Sequence, residues 1–380
     1  MGATERKTIG IIYNFRSTWM GGLIYILNAV KILNWLDDEE KPRIILFYRK
    51  DLKRFVDEID YPYLEAVEWE FPSFYKGYIN SWLTLKNQFV ETIIRKYPLD
   101  ALFPLRDYPV RSRGKVKLVG WYADLQHKHY PHFFKKKYLW ESELRTRLIL
   151  WNNKDLVVSS EAVRDDFNRF YRASKASNLH VFHFASVIDS FSFPGRDIVT
   201  DKFKLPASYF LVSNQFHKHK NHKIVLEALI RLKNEGCKPV VVMTGKIPDD
   251  TSMPHIAELK ALIADHELQG QVFLLGLLAR EEQLCLMKYA QAVIQPSLFE
   301  GWSTVIEDAI SLQTPVIASD IEVNIEQLGS WGVFFDPHNP NQLASAIKEF
   351  PERTDFNRMI FEPYDERVRK AARSFISIFS

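Results

Sequence analysis

The second half of the chain alternates short apolar runs with amphipathic stretches. The runs are rich in β-branched residues, which is typical of strands buried on both faces. They lie at Tyr209–Ser213, Pro239–Thr244, Val272–Gly276, Ala292–Gln295, Pro315–Ser319 and Gly332–Phe335. Between the runs, apolar residues recur at helical spacing, as they do in Asn221–Glu235. Strands that alternate with helices predict a parallel sheet covered on both faces.

The first half follows the same alternation less regularly. Its candidate strands are Thr8–Tyr13, Arg43–Tyr48, Ala101–Leu105, Val116–Trp121, Leu156–Ser159 and Leu179–Phe182. Its candidate helices are Gly22–Leu33, Leu83–Lys96, Tyr138–Trp151 and Glu161–Tyr171. The pattern therefore predicts two doubly wound α/β domains, residues 1–190 and 207–355, joined by a linker at 191–206 that contains Pro194-Gly195. A C-terminal helix within 356–380 follows, and it can cross back to the first domain.

Composition limits the class of protein, and the distribution of charge shows where the positive excess lies in the sequence. The 380 residues are 46% hydrophobic and carry a net charge of +3. Residues 101–150 alone hold 11 basic and 4 acidic residues, so the positive excess forms one segment interleaved with aromatic residues. Two cysteines exclude a disulfide scaffold and favour a reducing compartment. With no leader or membrane span in the pattern, we expect a cytoplasmic protein.

The most informative segment runs from Pro296 to Ala309. An apolar run ends at its start, Glu300-Gly301 follow in a loop, and Ser303 or Thr304 suits the N-cap of a helix. Free amides at a helix start bind phosphate, and a preceding carboxylate can accept hydrogen bonds from sugar hydroxyls. Asp308 lies two turns later on nearly the same face and could hold a ribose diol. An ordinary acidic helix start explains the same residues.

A cationic segment, Ser213–His222, leaves the first strand of the second half. Lys218 and Lys220 make this segment cationic, and a solvated cationic loop is its plain interpretation. A metal site built from His217, His219 and His222 is a further alternative.

Two loops of the first half are also candidates. Gly21-Gly22 open a helix after the first strand, where glycines let a backbone approach a phosphate. The loop from Trp121 to Phe134 follows a central strand and contains Asp124 and His127. A plain helix start and a loop histidine are the alternatives.

Several of these motifs, in this order, resemble the retaining glycosyltransferases of GT-B fold, the group that contains bacterial glycogen synthase and many mannosyl- and glucosyltransferases. The similarity covers about Tyr209–Phe350. The family has a Glu-Gly-aromatic loop with a second Glu eight positions later, where this chain has Glu300 and Asp308, with Glu307 one residue earlier. The family's Arg and His positions are occupied by Gln215 and Ala123.

The resemblance implies a role for each candidate residue. Catalytic roles fall on Glu300, Asp124 and His127. Donor binding falls on Gly21, Gly22, Gln215, Lys218, Lys220, Gly245, Leu277, Gly301, Trp302, Ser303, Thr304, Glu307 and Asp308. The acceptor side comprises Lys128, His129, Tyr130 and Arg106.

The expected fold is therefore GT-B, with two Rossmann-like domains facing across a cleft. The expected activity is transfer of a sugar from a UDP- or GDP-sugar to an acceptor hydroxyl with retention, in glycan or cell-surface polysaccharide synthesis. The acceptor would be a carbohydrate or a lipid-linked carbohydrate. Neither a cofactor nor a metal is expected, nor is nucleic acid as a partner. The alternatives are a non-catalytic or epimerase-like GT-B protein, or a basic patch that binds an anionic membrane or nucleic acid.

Overall fold

The computed structural model describes residues 6–17, 19–112, 114–172, 177–189, 192–248, 254–350 and 361–380. The chain divides into two compact units. The first comprises residues 1–187 and 365–380, and the second comprises 188–364. In each, apolar β-branched runs form a parallel sheet, and helices cover both of its faces.

The first unit contains a sheet of seven parallel strands in the order β3-β2-β1-β4-β5-β6-β7. Strands β1 to β7 are Thr8–Tyr13, Arg43–Tyr48, Leu64–Glu68, Ala101–Leu105, Lys117–Tyr122, Asp155–Val158 and Asn178–Val181. Helices α1 to α7 are Met20–Lys31, Lys53–Val56, Phe74–Thr84, Glu91–Lys96, Gln126–His129, Lys136–Asn152 and Glu161–Tyr171. The strand order reverses between β1 and β4, so the carboxyl ends of these two strands flank the crevice where open α/β sheets bind ligands.

The second unit contains six parallel strands in the order β10-β9-β8-β11-β12-β13. Strands β8 to β13 are Phe210–Ser213, Val241–Thr244, Val272–Gly276, Val293–Gln295, Val316–Ser319 and Gly332–Phe335. Helices α8 to α14 are Arg196–Phe203, His222–Asn234, Pro254–Asp265, Arg280–Tyr289, Thr304–Ser311, Glu322–Leu328 and Pro340–Glu349. Here the order reverses between β8 and β11, which places the corresponding crevice at the ends of those strands.

The last helix, α15 (Tyr364–Ser377), packs on the first unit, although it follows the second unit in sequence. The ring centroid of its buried Phe375 lies 5.6 Å from that of Phe103 and 5.1 Å from that of Phe182. The Lys7 ammonium donates to the Phe379 carbonyl at 2.8 Å. Part of the 356–380 prediction, residues 356–360, lies outside the described residues.

Several features differ from the sequence prediction, and helices α2, α5 and α13 were not predicted. The continuous helix predicted at Leu83–Lys96 is wrong: α3 ends at Thr84, Leu85 adopts a left-handed conformation, and α4 begins at Glu91. Strand β3 was not predicted, because its half-exposed Leu-Glu-Ala-Val-Glu sequence lacks a buried apolar run. The segment predicted as a linker contains α8. Across the described ranges, no helix is both long and apolar enough to cross a lipid bilayer.

Candidate active site

In the second unit, Lys220 and Glu300 meet beside the point where the strand order reverses. Lys220 follows β8 and Glu300 follows β11, the two strands that flank that point. The Lys220 ammonium lies 2.5 Å from Glu300 Oε1, and the two side chains are 18% and 10% exposed. Two segments 80 residues apart thus place a fixed cation and a carboxylate together where the fold binds ligands.

Buried amides fix the position of the Glu300 carboxylate. Gln295 Nε2 donates to Glu300 Oε1 at 2.8 Å, and Asn214 Nδ2 donates to Gln295 Oε1 at 2.8 Å. Gln295 is fully buried and Asn214 nearly so. Both hydrogen bonds that Glu300 accepts from described residues fall on Oε1, so Oε2 is the oxygen that can accept from a ligand hydroxyl. The sequence prediction missed these two amides, whose signal is a polar residue inside or just after a buried strand.

Gly245 allows the loops after β8 and β9 to approach each other closely. Its φ is +133°, and a Cβ atom there would lie 2.1 Å from the Asn214 carbonyl oxygen. The Gly245 amide donates to the Gly276 carbonyl at 2.8 Å, and the following Leu277 is exposed. The predicted donor residues Gly245 and Leu277 therefore lie at the carboxyl ends of neighbouring strands.

The start of α12 has the predicted cap. Ser303 Oγ accepts a hydrogen bond from the Ile306 amide at 3.3 Å, and Thr304 is the first helical residue. Gly301 is buried and Trp302 half-buried in the loop before the cap. Gln327 reinforces this end, since its side chain accepts from the Ser303 amide at 3.1 Å and donates to the Ser303 carbonyl at 2.9 Å.

The two acidic residues of α12 are both buried and both have protein partners. Glu307 accepts from Gln327 Nε2 at 2.9 Å. Asp308 is 2% exposed and forms a bidentate ion pair with Arg280, with both N–O distances at 2.5 Å. The choice between Glu307 and Asp308 as the ribose contact stays a prediction.

Arg280 is a residue that the sequence prediction missed. It is the first residue of α11, where the helix dipole disfavours a cation. Although burial opposes it, the Asp308 carboxylate raises the pKa of Arg280.

The histidines near Lys220 are neutral packing residues. Burial, followed by the nearby Lys220 charge, lowers the pKa of His219 to about 2 and that of His222 to about 3. The His222 ring stacks on Phe216 with a centroid distance of 4.2 Å. No group of three His, Cys, Asp or Glu residues within the described ranges is arranged to hold a metal ion, and these histidines are no exception.

Gln215 and Lys218 occupy the loop between β8 and Lys220. The Gln215 side-chain oxygen lies 2.9 Å from His217 Nε2, so the position that holds Arg in the family is engaged in a local neutral contact. Lys218 is exposed. Lys218 and Lys220 therefore supply the cationic charge of this loop.

In the first unit, Trp19 covers the glycine pair. A Cβ atom on Gly22 would lie 2.6 Å from the Trp19 ring, whereas Gly21 is open apart from a single ring atom at 3.9 Å. Glycine is therefore required at position 22 because the Trp19 indole packs against it. Trp19 stacks on Trp121 with a centroid distance of 5.6 Å, and Phe15 lies edge-on to both rings.

Arg106 lies beside this aromatic group. It follows β4, and its guanidinium carbon is 5.0 Å from the centroid of Trp19, which follows β1. It has no hydrogen-bond or ion-pair partner among the residues that the structure describes. Burial lowers the pKa of Arg106, and Arg145 adds to that effect. A desolvated guanidinium stacked on indole at the reversal of strand order can receive a carboxylate or phosphate.

Asp124 and His127 lie in the loop after β5. Asp124 Oδ1 accepts from the Gln126 amide at 2.9 Å, a local turn that shapes the loop. His127 is 7% exposed, and its Nε2 atom is buried with no hydrogen-bond partner among described atoms. Burial lowers the pKa of His127 to about 4, so the ring is neutral near pH 7.

The other acceptor-side residues are held within the protein. Lys128 lies 2.6 Å from Glu143, and His129 lies 2.7 Å from Asp166. Tyr130 stacks on Phe133 with a centroid distance of 5.3 Å. Of the acceptor-side set, Arg106 is the residue whose charge is not met by a described side chain. Arg113, a member of the basic segment, lies outside the described residues.

Comparison with known proteins connects these sites to a family. Residues 199–374 match the family model described as glycosyl transferases group 1. The chain is 24% identical over 234 residues to the O-antigen chain mannosyltransferase RfbU of Salmonella typhimurium, covering 61% of this chain and 60% of that protein. It is 23% identical over 207 residues to the α-1,3/1,6-mannosyltransferase ALG2 of Mus musculus, covering 51% and 49%. The chain thus spans about half to three fifths of the length of these curated relatives.

A solved structure shows the same fold over nearly the whole chain. The Anabaena protein Alr3699/HepE, solved in complex with UDP and glucose, matches with a TM-score of 0.67 at 16% identity, covering 98% of this chain and 97% of that one. The predicted GT-B class, with two Rossmann-like domains, is confirmed. A domain similar to the glycosyl transferases group 1 family therefore spans residues 199–374.

Proposed function

We propose that this protein transfers a sugar from a nucleotide diphosphate sugar to an acceptor hydroxyl with retention of anomeric configuration. The observation that carries the proposal is the 2.5 Å contact between Lys220 and Glu300 at the reversal of strand order in the second unit. A cation there suits a diphosphate, and an adjacent carboxylate suits sugar hydroxyls.

Transfer of the sugar from the donor to the acceptor needs no nucleophile from the enzyme. The acceptor oxygen forms a bond to the anomeric carbon as the bond from that carbon to the leaving diphosphate breaks. The acceptor proton passes to an oxygen of the leaving phosphate on the same face. Lys220, Lys218 and the amides after Gly301 would stabilise the charge that develops on the diphosphate. Glu300 Oε2 would orient the sugar, while Gly245, Leu277 and either Glu307 or Asp308 would contact the nucleoside.

The identity of the donor is proposed from the relatives. RfbU and ALG2 are mannosyltransferases, which supports a hexose such as mannose and a role in polysaccharide or glycan synthesis. HepE was solved with UDP and glucose, which supports a UDP-sugar as the other candidate. The first panel of ligands is therefore the two donors GDP-mannose and UDP-glucose, and the free nucleoside diphosphates GDP and UDP.

We place the acceptor on the first unit, at the reversal of strand order between β1 and β4. The partly exposed Trp19 ring provides apolar surface beside Arg106, and Arg106 provides a charge for a phosphate or carboxylate on the acceptor. The Gly21 amide, the Asp124 carboxylate and the neutral His127 ring would complete the reaction centre. We propose that the protein needs no metal or cofactor, and that it works in the cytoplasm, which its two free cysteines support. Contact with an anionic inner membrane face would bring it to a lipid-linked acceptor.

The test is release of the nucleotide diphosphate by the full chain, measured with each donor and a panel of sugar acceptors. Glu300→Gln and Lys220→Met should each lower kcat by about a hundredfold or more, because each removes charge aimed at the reacting groups. Glu281→Gln, at an exposed position on α11, is the matched control and should react as the parent does.

Other outcomes separate the alternatives. Failure to bind any sugar nucleotide at millimolar concentration would overturn the proposal. Tight binding without turnover would indicate a non-catalytic protein, and conversion of the donor without an acceptor would indicate an epimerase-like one.

A further inference from the structure

Helix α3 has two apolar faces, of which the protein itself covers one. The inner face contains Gly77, Tyr78 and Ser81, all buried. It packs so closely that a Cβ atom on Gly77 would lie 2.3 Å from the Phe89 ring. The other face therefore points away from the core of the first unit.

Large apolar residues follow that outer face at helical spacing. Tyr75, Ile79, Trp82 and Leu83 stand at positions i, i+4, i+7 and i+8, and all four are exposed. Leu83 and the following Leu85 are each 79% exposed. Single exposed apolar residues are ordinary, but five on one helix and its end form a patch that implies a partner.

Helix α6 lies beside α3 and extends the patch. At their first turns, the Tyr75 hydroxyl donates to Glu141, and the Lys137 ammonium lies 5.2 Å from the Tyr75 ring centroid. Tyr138 and Trp140 of α6 are also exposed, at 45% and 60%. Near the other end of α3, Trp82 Nε1 donates to the Pro109 carbonyl at 3.3 Å, which attaches the loop after β4 to the same surface.

The segments that contain these apolar residues, and the loop that Trp82 contacts, are positively charged. Residues 72–86, 108–117 and 128–140 contain no acidic residue. Their exposed cations are Lys76, Lys86, Arg111, Lys115, Lys135, Lys136 and Lys137. We call the five outer residues of α3, with Tyr138, Trp140 and these cations, the α3–α6 face.

We propose that the α3–α6 face docks on an anionic lipid surface. Trp and Tyr favour the boundary between headgroups and acyl chains, aliphatic side chains enter the acyl region, and cations attract anionic headgroups. A second copy of the chain fits less well, because a two-fold contact would bring two sets of cations together. This inference assigns the surface for the membrane contact in the proposed function, and it holds or fails independently of the sugar chemistry.

The experiment is flotation of the full chain with vesicles of phosphatidylcholine containing 30% phosphatidylglycerol, and with pure phosphatidylcholine. The parent should bind the anionic vesicles, and binding should fall with added salt. Ile79→Glu with Leu83→Glu should reduce the bound fraction at least tenfold. Neutralising Lys76, Lys86, Lys135 and Lys136 to Gln should reduce it to a similar extent.

Control variants carry fewer changes of the same kind on the second unit. Ile198→Glu alters an exposed apolar residue there, and Lys238→Gln with Lys260→Gln removes two exposed cations. Both controls should float as the parent does. Because none of these residues belongs to the donor or acceptor sites, turnover of a water-soluble acceptor should be unchanged, which separates this test from that of the proposed function.

Three outcomes would overturn the proposal. The parent could fail to bind anionic vesicles at low salt. The Ile79→Glu/Leu83→Glu variant could bind as well as the parent, which would indicate a polyanion surface that needs charge alone. Light scattering could show a parent dimer that this variant dissociates, which would assign the face to self-association.

Discussion

At the scale of single residues, the proposed donor site depends on a few backbone and side-chain atoms that hold Glu300 and its neighbours. Asn214 contributes twice: its side chain orients Gln295, and its carbonyl lies against Gly245. A change at either contact would shift the carboxylate without touching it. The residue scale therefore offers tests in which the altered atom is not itself a proposed catalytic group.

Gly245→Ala should destabilise the second unit and weaken donor binding. The added Cβ would lie 2.1 Å from a backbone oxygen at a φ of +133°, so the two loops must separate. We expect a loss of about 2 kcal/mol or more in the free energy of unfolding, measured by denaturant titration. Gly270→Ala is the control, because its Cβ would meet nothing within 4 Å. Equal stability of both variants would contradict the close approach.

The buried histidines should make stability fall in mild acid. In the unfolded chain an imidazole takes up a proton near pH 6.5, whereas burial keeps folded His222 neutral down to about pH 3. The unfolded state therefore binds more protons below pH 6.5, and the free energy of unfolding decreases as pH falls from 6.5 toward 4.

His222→Phe retains a ring against Phe216 and removes this titration. It should lower the slope of unfolding free energy against pH by up to about 1.4 kcal/mol per unit, measured by urea titrations between pH 4 and 7. An unchanged slope in His222→Phe would show that His222 becomes protonated in the folded protein.

At the scale of elements, the Arg280–Asp308 pair fastens the start of α11 to α12. Asp308 is buried while Arg280 is partly exposed, so the two halves of the pair are not equivalent. Arg280→Met leaves a buried carboxylate without its bidentate cation and should cost about 3 kcal/mol. Asp308→Leu leaves an arginine that water can reach, and it should cost less.

A double-mutant cycle measures the contribution of the pair. Arg280→Met with Asp308→Leu should lose less than the sum of the single changes, with a coupling of about 1–3 kcal/mol in chemical denaturation. Lys223→Met is the matched control, because its 2.6 Å ion pair with Glu258 is exposed on both sides and should cost under about 1 kcal/mol. If the two changes in unfolding free energy were additive, the ion pair would not stabilise the contact between α11 and α12.

An element can be predicted from the sequence when its burial produces a recognisable pattern of apolar residues. The second-unit strands were predicted within two residues, because central strands buried on both faces are continuous apolar runs. Glu300 and Lys220 were found because both lie in the loops that follow such runs, and because those loops resemble the family's motifs. The two faces of α3 were not found, since an apolar residue facing solvent and one facing the core look alike in sequence. Arg280 was missed because its partner lies 28 residues away.

At the scale of the whole molecule, the net charge of +3 conceals a division between the two units. In the second unit, the most buried charges are paired, Lys220 with Glu300 and Asp308 with Arg280. In the first, the excess of residues 101–150 separates into three sets. Among the described cations, Lys128, Arg145 and Arg147 form ion pairs within the unit, and Lys117 donates to the Ser380 carbonyl. Arg106 lies against Trp19. The exposed cations Arg111, Lys115, Lys135, Lys136 and Lys137 belong to the α3–α6 face. Charge that appears as one segment in sequence thus serves structure, a ligand site and a surface.

The C-terminal helix connects the end of the chain to the stability of the first unit. Phe375 is fully buried against Phe103 and Phe182, and the helix that carries it comes after the whole of the second unit. Phe375→Ala should cost about 3–5 kcal/mol through the cavity it leaves. Hydrogen exchange should accelerate at β1 and β4 and remain unchanged at β8 and β11, whereas the exposed Ser374→Ala should alter neither. Faster exchange confined to the second unit would contradict the packing of α15 on the first unit.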